Sequence, residues 1–212
     1  VGAFYTPKLV IMDPNVLRTL PPREFRSGIY EIIKYGMIGD APLFRFLEQK
    51  MERLLLRDPA VLDFVIQRSA NQKARVVSSD ERESGLREIL NFGHTFAHAL
   101  ESVTRYRTYL HGEAVAWGMV AAAQLAVETK MLSARDAGRL INLIERVGPL
   151  PAWPKVAPAR LISAMQADKK TRAGRLRFVL PERIGVVRCG VEADANLLAK
   201  TLRECALPRR RK

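Results

Sequence analysis

Leu90-Asn91-Phe92-Gly93-His94-Thr95-Phe96-Ala97-His98 and, a short way on, His111-Gly112-Glu113-Ala114-Val115 hold all 3 histidines of the 212-residue chain. Histidines scattered through a core would not gather in one window, so the window marks a candidate site. His94 and His98 are four apart, which puts their rings on one face of a helix. His111 stands where a new helix starts and can face back across the turn. Imidazole and carboxylate together suit a divalent metal such as zinc, which takes three protein ligands and an open position when it is catalytic. Two or three of these histidines and one acid meet that requirement. An i,i+4 histidine pair also occurs as two polar groups satisfied by backbone or water, and spacing alone does not say which histidines are ligands.

Working outward, Ala114 to Ala126 is rich in alanine, with Gly118, Met119 and Val120 among it. Small side chains on every side predict a packed central helix that its neighbours approach closely. Asp58-Pro59 reads as an N-cap with proline in the first helical turn, followed by the stripe Val61, Leu62, Val65 and Ile66. Ser133 and Asp136 read as a capping box before Leu140, Ile141, Ile144 and Val147, and Gly148 ends that helix. Pro149 to Pro158 is a loop, and Arg177-Phe178-Val179-Leu180 with Ile184-Gly185-Val186-Val187 predicts a short hairpin before a last helix. Leu9-Val10-Ile11-Met12, closed by Asp13-Pro14, reads as a strand joined to something upstream of Val1. The expected organisation is a strand and connection over 1–20, a mainly α, multi-helix domain with a short β-hairpin over 21–207, and a disordered basic tail over 208–212.

With 48% hydrophobic residues the chain can bury a substantial core. It has no apolar run of membrane-spanning length and no secretory signal pattern. The 2 cysteines, Cys189 and Cys205, make neither a disulfide scaffold nor a cysteine zinc site, so a reducing cytoplasm is the expected location. A net charge of +13 favours an anionic partner: nucleic acid, an acidic membrane or a phosphorylated metabolite. No interleaving of basic and aromatic residues and no zinc-finger spacing occurs, so no nucleic acid and no membrane is expected.

Glu31-Ile32-Ile33-Lys34-Tyr35-Gly36 places a carboxylate and an ammonium three apart on one helix face. The plain reading is a surface ion pair. If that face meets the histidine window, Glu31 becomes the acid ligand and Lys34 a phosphate or carboxylate contact. Lys73, Glu83 and Arg87 lie on the approach to the same window, and Asp168-Lys169-Lys170 comes later. Gathered around a metal, these cations would make a pocket for a small, multiply charged substrate.

Taken together, Glu31-Ile-Ile-Lys34-Tyr-Gly, Leu90-Asn91-Phe-Gly-His94-Thr-Phe-Ala-His98-Ala, His111-Gly-Glu-Ala-Val-Ala and Asp168-Lys169-Lys170 closely resemble the C-terminal domain of the 3-dehydroquinate synthase family, within the sugar-phosphate cyclases. The likeness runs from Val1-Gly2-Ala3-Phe4-Tyr5 to the hairpin near Leu180. It implies that Glu31, His94 and His111 hold Zn2+ (or Co2+) and that His98 is an acid/base group facing substrate, with Glu83 a second proton-handling residue. Lys34, Lys73, Arg87, Asn91 and one of Lys169 or Lys170 would hold carboxylate, hydroxyls and phosphate. Val16, Leu17, Arg18, Thr19 and Ser27 would touch NAD.

The implied reaction converts 3-deoxy-D-arabino-heptulosonate 7-phosphate, a phosphorylated sugar acid, to 3-dehydroquinate and phosphate on the route to the aromatic amino acids. A homodimer is implied for the full-length protein. Ala97 stands where the family motif usually has glycine. No glycine-rich dinucleotide fingerprint occurs, so the family's N-terminal nucleotide-binding α/β domain is expected to be absent from this stretch and the stretch alone inactive. The rival readings are a valiolone- or inosose-forming cyclase, a metal-dependent alcohol or glycerol dehydrogenase, and a basic helical nucleic-acid-binding module whose binding would weaken steeply with salt.

Overall fold

The structure, a computed structural model, describes residues 7–80, 85–168 and 176–207. Its axis is α5 (His111–Glu128), the alanine-rich helix, buried on nearly every side from Gly112 to Ala126. A helix with so little polar surface is stable only when others enclose it. Around it stand α1 (Pro22–Gly39), α4 (His94–Val103), α6 (Ala134–Val147) and α8 (Ala195–Ala206), with the buried strand β1 (Arg177–Arg183) on another side. Large apolar side chains from these neighbours, among them Ile33, Phe96, Leu140 and Leu180, are fully or almost fully buried, each worth about 1.5–3 kcal/mol of hydrophobic stabilisation.

Two glycine contacts set how closely these elements approach. A methyl group on Gly118 would lie 2.0 Å from the Gly93 carbonyl oxygen, and Gly93 itself holds a left-handed φ of +80° just ahead of α4. A methyl on Gly112 would lie 1.9 Å from the Ser27 carbonyl oxygen of α1. Backbone therefore touches backbone at both ends of the histidine window, and only glycine leaves room for it.

The outer helices begin as their sequences demand. Asp40 caps α2 (Ala41–Leu55) by accepting the Leu43 N–H at 3.0 Å, and Asp58 caps α3 (Pro59–Ser79) through the Val61 N–H at 3.1 Å. Proline occupies the first turn of α1, α2 and α3, where its missing N–H costs nothing. Before α6, Ser133 Oγ accepts the Asp136 N–H at 3.1 Å, while the Asp136 carboxylate turns to Arg139. Gly148 ends α6 at φ +144°, and the proline-rich loop that follows is tied down where Trp117 Nε1–H donates to Pro151 O (2.9 Å) and Tyr109 O–H to Ala152 O (2.7 Å). After α7 (Pro158–Asp168), β1 pairs antiparallel with β2 (Val186–Glu192), Arg177 opposite Glu192 and Pro181 opposite Val187. The Phe178 ring stacks on Phe96 of α4 with centroids 5.1 Å apart.

One expected strand is not seen among the described residues. Leu9–Met12 does not form a strand: no described segment pairs with it, and its side chains are exposed. A strand takes its hydrogen bonds from a neighbour, so an apolar run alone cannot make one. The connection that follows is a 3-10 turn over Pro14–Thr19, opened by Asp13 and packed on α3. The predicted tail 208–212 and the initial Val1-Gly2-Ala3-Phe4-Tyr5 match lie outside the described residues. Among the described residues no helix is long and apolar enough to cross a membrane.

Candidate metal centre

Three helices bring one donor each to a common point: Glu31 from the middle of α1, His94 from the first residue of α4 and His111 from the first residue of α5. One ligand atom from each lies within 4.8 Å of the others. Glu31 Oε1 is 3.9 Å from His94 Nε2 and 3.9 Å from His111 Nε2, too far for a hydrogen bond and close enough to share a cation. That oxygen is buried without any hydrogen-bond partner. A buried carboxylate oxygen left unpaired is costly, and a positive ion between it and the two imidazoles would remove the penalty. The donor set of two imidazoles and a carboxylate is one that zinc and cobalt accept.

The chemical state of the rings agrees with that role. His94 Nδ1 lies 3.1 Å from Phe92 O. A carbonyl can only accept, so Nδ1 carries the proton and Nε2 turns its lone pair toward Glu31. Burial pushes the His94 pKa down to about 4, and Lys34 adds to the depression against the opposing pull of Glu31. His94 is therefore neutral at physiological pH, as a ligand must be. His111 Nδ1 lies 3.1 Å from the Glu101 carboxylate, and its Nε2 likewise points to the cluster.

His98, one turn along α4, is not in the triad. Its Nδ1 lies 2.9 Å from Asp168 Oδ2 at the end of α7, and its ring stands edge-on to His94 at 5.7 Å between centroids. Of the two rings of the i,i+4 pair, only that of His94 faces Glu31 together with His111. Lys34 is buried and donates to the second Glu31 oxygen at 2.6 Å, so the anticipated pair exists but faces the site, not solvent.

The other anticipated residues are distributed more loosely. Asn91 ends the 3-10 segment Leu86–Asn91, just ahead of His94. Arg87 belongs to the same segment, which is held where Asp80 Oδ2 accepts the N–H groups of Gly85 and Arg87, each at 2.9 Å. Lys73 is exposed on α3. Val16, Leu17, Arg18 and Thr19 lie in the 3-10 turn over Pro14–Thr19, and the carbonyls of Arg18 and of Leu20 just after it accept from Arg57. Ser27 Oγ accepts the Gly112 N–H at 3.0 Å. Glu83, Lys169 and Lys170 lie outside the described residues.

Sequence reasoning missed the groups that hold the donors in place. Arg23 of α1 binds Glu113 of α5 through two bonds of 2.7 Å, and Glu113 also accepts the Leu110 N–H at 2.8 Å. This clamp joins the first turns of the two helices that carry Glu31 and His111. Glu101, seven residues after His94 and on the same helical face, was equally visible as a spacing. Its burial was not.

The comparisons agree with this geometry. Residues 28–171 match the family model of the 3-dehydroquinate synthase C-terminal region. A 3-dehydroquinate synthase of Prochlorococcus marinus (strain MIT 9313) is 48% identical over 207 residues, covering 97% of this chain and 55% of the relative. That of Nitrosomonas europaea is 47% identical over 205 residues, covering 97% and 56%. The chain thus spans a little over half the length of these relatives.

Among solved structures, ValA, a 2-epi-5-epi-valiolone synthase from Streptomyces hygroscopicus subsp. jinggangensis with NAD+ and Zn2+ bound, superposes with a TM-score of 0.87 at 27% identity, covering 97% of this chain and 57% of that one. A 2-deoxy-scyllo-inosose synthase complexed with carbaglucose-6-phosphate, NAD+ and Co2+ gives 0.80 at 25% identity, covering 96% and 57%. A mainly helical fold, a three-donor cluster at the meeting of α1, α4 and α5, and a family match over residues 28–171 converge on one conclusion: the chain belongs to the 3-dehydroquinate synthase family, in its C-terminal part.

Proposed function

We propose that this chain supplies the metal- and substrate-binding half of a 3-dehydroquinate synthase, which converts 3-deoxy-D-arabino-heptulosonate 7-phosphate to 3-dehydroquinate and phosphate in aromatic amino acid biosynthesis. The observation that carries the reading is the unpartnered, buried Glu31 Oε1 facing two imidazole Nε2 atoms at 3.9 Å. Zinc or cobalt held by Glu31, His94 and His111 would polarise a substrate hydroxyl, and NAD held by a nucleotide-binding domain would take up and return the hydride.

The chain's own residues divide the remaining work. Lys34, already against the other Glu31 oxygen, neutralises the ligand carboxylate and presents charge to an anionic substrate group. His98, oriented by Asp168, takes or gives a proton through Nε2, with Glu83 as a second proton-handling group. Lys73, Arg87, Asn91 and one of Lys169 or Lys170 hold the carboxylate, hydroxyls and phosphate. Val16 to Thr19 and Ser27 touch the nucleotide. We place the protein in the cytoplasm, as a homodimer when full length, with no activity from residues 1–212 alone.

The identities support this substrate over the valiolone- and inosose-forming alternatives, since the relatives named 3-dehydroquinate synthase stand at 47–48% and the other two cyclases at 25–27%. Zinc content and affinity test the site first. Glu31→Ala, His94→Ala and His111→Ala are expected to lose zinc, and His98→Ala to retain it. Equal loss in His98→Ala would restore the i,i+4 pair as ligands and sink the assignment.

A further inference from the structure

Two of the three donors in the cluster are imidazoles, and the groups behind them differ in kind. Behind His94 is a main-chain carbonyl, Phe92 O, which is neutral and fixed by the backbone. Behind His111 is the side chain of Glu101, a carboxylate 3.1 Å from Nδ1, at the C-terminal end of α4. The Glu101 side chain is only 10% exposed, whereas that of His111 is 51% exposed. The more exposed ring is thus backed by a buried carboxylate.

A free histidine at the first position of a helix can rotate about its side-chain bonds and adopt either tautomer. Glu101 removes both freedoms. An ionised carboxylate can only accept, so a ring facing it presents Nδ1–H to the carboxylate and Nε2 to Glu31. The bond also pushes electron density into the imidazole and makes Nε2 a better donor to a cation, which a neutral carbonyl does less well.

We propose that Glu101 is a positioning residue for the metal centre, fixing the tautomer and orientation of His111 and strengthening it as a ligand. The proposal rests on the reading of Glu31, His94 and His111 as the metal-binding triad. Glu101 touches neither substrate nor metal and acts only through His111. It also couples α4 to the start of α5 across the Thr104–Leu110 connection, where Arg105 and Tyr106 take positive φ of 54° and 56°. The connection therefore need not itself hold His111 in place.

The test uses the whole chain with Zn2+ alone as probe, in the parent and in Glu101→Gln, Glu101→Ala and Glu31→Ala. Zinc affinity is read by competition with a chelator, thermal melting of the metal-free chain serves as the folding control, and imidazole 15N spectra report the His111 tautomer without metal. Glu101→Ala is expected to weaken zinc by roughly 10–100-fold and to mix the His111 tautomers. Glu101→Gln, which keeps an acceptor oxygen but not the charge, should restore the tautomer and part of the affinity.

A Glu101→Ala chain that melts early yet binds zinc like the parent, with Nδ1–H still dominant, would overturn the proposal and leave Glu101 a structural acid. If the parent binds zinc, Glu31→Ala loses it and Glu101→Ala does not, the proposal alone fails. If the parent binds none, the triad reading fails and takes the proposal with it.

Discussion

Tyr30 and Tyr109 are buried phenols near Glu113, and their pKa values show what burial does to a single group. Desolvation, with the negative charge of Glu113 adding to it, pushes each from 10.0 up to about 12. A raised phenol pKa means that the folded state holds its proton more tightly than the unfolded chain. The stability this contributes is complete below pH 10, falls as pH rises from 10 to 12, and is gone above that. Tyrosinate absorbance should therefore show Tyr30 and Tyr109 ionising late, with a titration that coincides with alkaline unfolding, and Tyr30→Phe should flatten the loss of stability across that window. Coincidence with the exposed tyrosines would contradict the burial. The same physics acts in the opposite direction on His94, whose burial favours the neutral ring. Neither shift can be read from the residue's identity, because it depends on what surrounds the group.

The glycines divide by what faces them once the helices have packed. Gly118 in α5 lies against the Gly93 carbonyl, so Gly118→Ala must push α5 and the start of α4 apart. We expect a loss of about 1–3 kcal/mol or more, together with weakened zinc binding, because His94 moves with α4. Gly138 lies in the interior of α6, exposed and with nothing near its missing methyl group. Gly138→Ala should instead stabilise the chain by about 0.5–1 kcal/mol. Chemical denaturation of the two variants checks both signs, and a neutral Gly118→Ala would mean that the helices are not in contact there. The caps at Asp58 and Ser133 were legible in sequence because their partners lie within three residues. Leu9–Met12 was not legible in the same way, because a strand needs a partner and no described segment supplies one.

Over the whole molecule, the candidate centre joins helices whose donors lie at residues 31, 94 and 111, so a metal that binds the folded state must stabilise it globally. At a free zinc concentration of 100 times Kd the gain is about 2.7 kcal/mol, which for a chain of this size should raise Tm by roughly 5–10 °C. Differential scanning calorimetry with and without zinc measures it, and chelation should return Tm to the metal-free value. An unchanged Tm in parent and Glu31→Ala alike would argue against a shared ion.

The sequence by itself determined the helical class, the caps, the alanine-rich central helix, the hairpin and the family, since each is written in local spacing or in motifs read in order. It also located the site, because all 3 histidines fall in one window. Spacing did not choose between His98 and His111 as partner to His94. Only the tertiary structure places Nε2 of both His94 and His111 against Glu31, turns His98 toward Asp168 and buries Glu101 behind His111. The physical reason is that a ligand set is defined by directions and distances between elements far apart in the chain. Those are fixed by how closely α1, α4 and α5 pack, which Gly93, Gly112 and Gly118 permit but no local pattern specifies.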